Sequence, residues 1–168
     1  MTHEVWDRLQ EARDALGSRL GGPVGAAVVL GSGLSSVLGE EGQELSLPYE
    51  AVPHLPRPGV QGHGGVLACL KRGNLRVLVF SGRVHAYEGR SGDELAFAVR
   101  LSRLLGASRV LLTNAAGGIA PQLEPGTLMV IRDHLNLMGQ NPLRGDNEER
   151  LGPRFPDMSA VYDPEGQT

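Results

Sequence analysis

A lone cysteine, Cys69, in 168 residues leaves neither a disulfide framework nor a cysteine-based metal cluster, and it suits a reducing compartment. No apolar run approaches the ~18 residues of a membrane-spanning helix, and residues 1–20 carry too many charges for a secretory signal. A basic stripe is missing as well. With a net charge of −3, neither a nucleic acid nor an anionic membrane is expected as a partner. Two phosphate-loop signatures are also absent. The turn Gly31-Ser32-Gly33-Leu34 lacks the third glycine of a dinucleotide fingerprint, because position 36 is Ser36, and no Gly-Lys-Ser/Thr of a Walker loop occurs. What remains is the expectation of a cytoplasmic globular protein, 40% hydrophobic and 21% charged, long enough for one domain with a real core.

Glycine is plentiful, and its 24 copies gather where apolar runs end. Residues 3–20 carry Val5, Leu9, Ala12, Leu16 and Leu20 at spacings of three and four, which predicts an amphipathic helix stopped by Gly21-Gly22-Pro23. The run Ala26–Leu30 suits a strand buried on both faces, and it opens into Gly31-Ser32-Gly33. Residues 40–65, rich in proline and glycine, read as loop. His54 and His63 lie in this stretch, and the glycines flanking His63 allow close approach of another group. Val66–Leu70 and Leu75–Phe80 read as strands joined in a hairpin. Ser91 and Glu94 fit a capping box that starts a helix closed by Gly106, with Leu95, Ala98, Val99, Ser102 and Leu105 as its packing face. Arg109–Thr113 and Thr127–Arg132 are two further expected strands. Beyond them, 133–168 reads as a long excursion.

Chemistry concentrates in Ser81-Gly82-Arg83-Val84-His85-Ala86-Tyr87-Glu88-Gly89, which follows the apolar run Val77–Phe80. A fixed positive charge, an imidazole, a phenol and a carboxylate thus share one strand end, where ligands sit in open parallel α/β sheets. Alone, such a loop could be a polar connector facing water. Two other strand ends change that balance: Gly31–Gly33 and Asn114-Ala115-Ala116-Gly117-Gly118 are small-residue turns with exposed N–H groups. If the sheet is largely parallel, all three converge on one face and describe an oxyanion site. The residues by themselves therefore point to an enzyme or binding protein for a phosphate-containing or phosphate-using small molecule.

Several of these stretches resemble the trimeric purine nucleoside phosphorylases, and in the family's order. They are Gly31–Leu34, Gly82–Gly89, Thr113–Gly118, Ile131-Arg132-Asp133-His134-Leu135-Asn136-Leu137, Gln140–Gly145, Arg154–Ser159 and Tyr162-Asp163. The methylthioadenosine phosphorylases are a less similar branch. The resemblance implies an α/β fold with a mixed, largely parallel central sheet flanked by helices. It implies one nucleoside phosphorylase domain over 1–168, truncated at its C-terminal end, because family chains run well past position 168. It also implies phosphate binding by Ser32, His63, Arg83, His85 and the N–H of Ala115. Tyr87 would lie against the ribose. Phe155 would reach over the sugar of a neighbouring subunit in a homotrimer. Ala116 and Gly117 would line the purine. Glu88 would orient His85, the pair standing as the catalytic candidates.

The implied reaction is reversible phosphorolysis of purine (deoxy)ribonucleosides to free base and (deoxy)ribose 1-phosphate, a purine-salvage step. Orthophosphate is the co-substrate, and no metal or organic cofactor is expected. The segment that in the family carries the donors to the purine is not in this sequence, so the chain by itself is expected to lack phosphorolysis. Two rival classes stand beside this reading. One is a catalytically incomplete phosphate-binding remnant. The other is a hydrolytic nucleosidase, which would not need Arg83 and His85 as a phosphate clamp.

Overall fold

A computed structural model describes residues 2–31, 33–39, 41–59 and 65–167. Helix α1 (Thr2–Gly17) opens the chain, with Glu4 in its first turn at the positive end of the helix dipole and paired with Arg8 one turn on. Leu9, Ala12 and Leu16 are its fully buried stripe, with Val5 and Leu20 packed at the margin. The helix stops three residues short of the expected 20. Arg19 and Leu20 donate instead into a turn on the Leu16 carbonyl.

Strands β1 (Ala26–Leu30), β2 (Gln43–Pro48), β3 (Val66–Arg72), β4 (Leu75–Ser81) and β5 (Arg109–Leu112) form one sheet in the order β2-β3-β4-β1-β5. The sheet is mixed as expected. β1 runs parallel to both β4 and β5, while β2-β3 and β3-β4 are antiparallel. Strand β2 falls inside the 40–65 stretch read as loop. Leu45 and Leu47 alternate with polar neighbours and pack on the core, a period-two signal that the surrounding prolines and glycines mask.

Helix α2 (Gly92–Leu104) starts on the expected capping box: Ser91 Oγ accepts from Glu94 N at 3.3 Å, and Glu94 Oε2 accepts from Ser91 N at 2.9 Å. It stops before Gly106, whose φ of 108° is open to glycine and strained for other residues. Of the expected face Ser102 and Leu105 are buried and Ala98 packs against the core, joined by Phe97 and Leu101, while Val99 is on the surface. The 97-101-105 spacing of four meets the sheet, and Ser102 satisfies its hydroxyl on the Ala98 carbonyl at 2.7 Å.

Both helices pack on one face of the sheet. One core joins Leu9 and Leu16 of α1, Phe97 and Leu101 of α2, and Val29, Leu67, Leu78 and Phe80 of the strands. The opposite face holds a smaller cluster of Leu30, Ala68 and Val79, covered by Leu34 and Leu38. At β5, in contrast, Leu111 and Leu112 are exposed, and no strand among the described residues pairs with its outer edge. The expected strand at 127–132 is absent. Its residues form no ladder, and Leu128 is 97% exposed. A strand needs a partner for its N–H and C=O groups, and no strand pairs with this segment among the described residues.

From residue 113 to 167 the chain is irregular apart from two short 3-10 turns. Arg100 Nη2 donates to the Pro142 carbonyl at 3.2 Å, and the Arg150 guanidinium lies 4.4 Å over the Trp6 ring, so the excursion is tied back to both helices.

Two substitutions separate the core from this exposed segment. Phe80→Ala should cost about 3–5 kcal/mol in urea unfolding, because it removes the largest fully buried side chain from the centre of the sheet. Leu128→Ser should change stability by less than about 0.5 kcal/mol. Any self-association seen by size exclusion should be weaker in this variant, since a large exposed apolar side chain favours association.

Candidate active site

The parallel register sets the site. Leu30 of β1 pairs with Ser81 of β4, and Val29 pairs with Leu112 of β5, so three strands end level and side by side. The turn from Gly31, the loop from Gly82 and the loop from Thr113 leave from adjacent points. This is the convergence the sequence requires for an oxyanion site.

Gly31 is held against the end of β5. A Cβ at this position would lie 2.6 Å from the Thr113 carbonyl oxygen and 2.8 Å from Asn114 Cα, so no side chain fits. Its N–H donates to Thr113 Oγ1 at 2.8 Å. From the far side of β1, Arg83 reaches over and donates Nη1 to the Thr113 carbonyl at 3.1 Å. The guanidinium thus spans the mouth of the cradle.

His85 and Glu88 form the second layer. Both side chains are largely buried, 17% and 10% exposed. Glu88 Oε1 accepts the His85 backbone N–H at 2.8 Å and sits 3.0 Å from Nδ1. Its other oxygen, Oε2, accepts the Gly59 N–H at 2.7 Å. Burial works to raise the Glu88 carboxyl, but the Gly59 N–H, the imidazole and the His85 N–H outweigh it and hold it below the usual carboxylate range. An ionised carboxylate only accepts, so Nδ1 carries the proton, and this sets the tautomer met at Nε2.

Tyr87 is 75% exposed and stacks on the His85 ring, with centroids 4.8 Å apart and planes 17° from parallel. Ala115, Ala116 and Gly117 are exposed in the loop after β5. Phe155 is 87% exposed, with the Arg154 guanidinium 6.0 Å from its ring. Ser32 and His63 lie outside the described residues.

Three supporting groups were not singled out from the sequence. Thr113 joins Gly31 and Arg83. Gly59 anchors Glu88. Tyr49 is buried beside Phe80 and donates its phenol to the Gly82 carbonyl at 2.6 Å, just before Arg83. Burial pushes that phenol above the ordinary tyrosine range, so it remains a donor. The position of Thr113 at a strand end was the one available signal. Tyr49 and Gly59 sit in the stretch read as loop and carried none.

Level parallel strand ends, a glycine pressed against the neighbouring strand end, a guanidinium and a carboxylate-held imidazole define an α/β protein whose polar side chains gather at the carboxyl edge of its parallel strands, where ligands sit in such sheets. Comparison with known proteins narrows that class. The Phosphorylase superfamily profile matches residues 26–168, and the chain belongs to that superfamily. It is 46% identical over 135 residues to purine nucleoside phosphorylase 1 of Geobacillus stearothermophilus, covering 80% of this chain and 49% of that protein. It is 40% identical over 157 residues to purine nucleoside phosphorylase 1 of Bacillus subtilis, covering 94% and 58%. Among solved structures, isoform 2 of purine nucleoside phosphorylase from Schistosoma mansoni, in complex with cytosine and ribose-1-phosphate, superposes with a TM-score of 0.82 at 34% identity. That match covers 96% of this chain and 58% of the other. The chain spans about half the length of the curated relatives it matches.

Glu88→Gln tests the second layer. The neutral amide keeps the shape but loses the charge-assisted bonds, and stability at pH 7 should fall by about 1–3 kcal/mol. The folded state holds the Glu88 carboxyl below its unfolded value. Its contribution is therefore complete above the unfolded pKa, about 4.3, and disappears as pH falls through the lower folded one. Unfolding free energies measured between neutral and acid pH should show that loss in the wild type and a flatter profile in the variant.

Proposed function

We propose that this chain carries the phosphate side and part of the ribose side of a purine nucleoside phosphorylase. The observation that supports the reading most is that β4, β1 and β5 end level, so that Arg83 reaches Thr113 beside the Gly31 turn with His85 on the same loop. In this reading Ser32, His63, Arg83, His85 and the Ala115 N–H hold orthophosphate. Tyr87 covers the ribose, and the backbone of Ala116 and Gly117 lines the purine. Phe155 lies over the sugar of a neighbouring subunit, its exposed ring being suited to such a contact. The assembly is a homotrimer acting in cytoplasmic purine salvage, without metal or organic cofactor.

The chemistry follows from the charges. A phosphate oxygen bonds to the anomeric carbon as the bond to the purine nitrogen breaks, and the electron pair leaves with the purine, which then takes a proton. Positive charge builds on the sugar in between. A dianionic phosphate held beneath the ring stabilises it, and fixed donors around the phosphate need not reorganise during the step. Arg83 and His85 thus contribute mainly position. The ribose-1-phosphate in the Schistosoma mansoni isoform 2 complex has the composition of the expected sugar product.

Inosine incubated with and without phosphate, using enzyme assembled to the length of the relatives, separates the possibilities. Base release that requires phosphate supports the phosphorylase. Release without phosphate indicates a nucleosidase, and phosphate binding without release indicates a binding remnant. In the same enzyme Arg83→Ala should raise the phosphate KM and lower kcat/KM by roughly 10²-fold or more, since an anion partner is lost from both ground and transition states. An unchanged phosphate dependence removes Arg83 from the site. Mixing Phe155→Ala chains with Arg83→Ala chains should restore some activity, because a mixed trimer contains sites that draw both intact residues from different chains. Loss without rescue at any ratio places Phe155 within its own subunit.

A further inference from the structure

We infer that Thr113 is the positioning residue of the phosphate crevice: its hydroxyl orients the Gly31 turn while its carbonyl holds Arg83. This rests on the reading of that crevice as a phosphate site. Thr113 lies one residue past β5, and its N–H still bonds the Val29 carbonyl at 3.0 Å, so its backbone is fixed by the sheet. Its Oγ1 donates to the same Val29 carbonyl at 3.2 Å. With its proton engaged there, the hydroxyl presents a lone pair to the Gly31 N–H at 2.8 Å. The Thr113 carbonyl oxygen meanwhile accepts from Arg83 Nη1 at 3.1 Å. One residue therefore sets the direction of the first N–H of the β1 turn and the reach of the cation crossing from β4. The Gly31 N–H is thereby committed to Thr113.

A threonine needed only for packing would be replaced without loss by valine, which has the same shape. A positioning hydroxyl would not, and serine would restore it. The test is calorimetric titration of the 168-residue chain with inorganic phosphate at pH 7, with Arg83→Ala as the reference. Thr113→Val should weaken phosphate about tenfold, and Thr113→Ser should stay within about twofold of wild type. Hydrogen exchange at the Gly31 amide should accelerate in Thr113→Val and not in Thr113→Ser. If Thr113→Val does not fold, Thr113→Ala against Thr113→Ser gives the same contrast.

Unaltered phosphate affinity in the hydroxyl-deleted variant, with Arg83→Ala weakened, overturns the role of Thr113 alone. Equal weakening in the serine and hydroxyl-deleted variants overturns it as well, since the hydroxyl is then not the agent. No phosphate binding by wild type, or no effect of Arg83→Ala, overturns the phosphate site itself and this role with it.

Discussion

Strands β1 and β5 meet at Gly31 and Thr113 more closely than any side chain would permit, and the crevice depends on that contact. The parallel ladder brings the two strand ends level, but level ends alone would leave a gap bridged by side chains. With only a hydrogen at Gly31, the turn lies against the Thr113 carbonyl, and that oxygen remains within reach of Arg83 from the next strand. The guanidinium direction is thus set by a backbone carbonyl, and among the described residues no carboxylate pairs with it. An acidic partner there would compete with an anionic ligand for the same charge.

Around this contact the groups divide into those that hold and those that could act. Glu88 spends both oxygens, on His85 and on Gly59, and so joins the β4 loop to the segment that follows β2. Tyr49 ties that segment to Gly82 from inside the core. The opposite end of the sheet is closed by backbone bonds, Val24 N–H to the Leu105 carbonyl and Ser108 N–H to the Gly25 carbonyl. Arg83, His85, Tyr87 and Glu88 all follow the carboxyl end of β4. Tyr87, stacked on His85 yet mostly exposed, is the apolar surface that a sugar could cover.

How far sequence pattern leads depends on where the partners of each segment lie. Strands β1, β3, β4 and β5, both helices, the capping box and the turn after β4 were legible because each is encoded by neighbours in the chain: apolar runs, spacings of three and four, Ser91 with Glu94. Strand β2 was not, since a six-residue half-exposed strand at the sheet edge among prolines has a weak local signal. The 127–132 segment errs the other way. Its residues favour a strand, but propensity alone does not form a ladder, and among the described residues none of the five strands pairs with it.

The sequence alone determined the residue types of the site and their places at strand ends: Arg83, His85 and Glu88 after β4, the small residues after β1 and β5. Motif order determined the kinship with the phosphorylases, because those stretches are contiguous and need no folding to be read. Tertiary structure decided which of these groups meet. That Arg83 bonds to Thr113 thirty residues away, that Gly59 reaches Glu88, and that Tyr49 supports Gly82 follow from strand order and register. Strand order in turn follows from how the helices bury one face of the sheet. Hydrogen bonds between groups distant in sequence are selected by packing, and packing is a property of the whole fold, which no local stretch of this chain encodes.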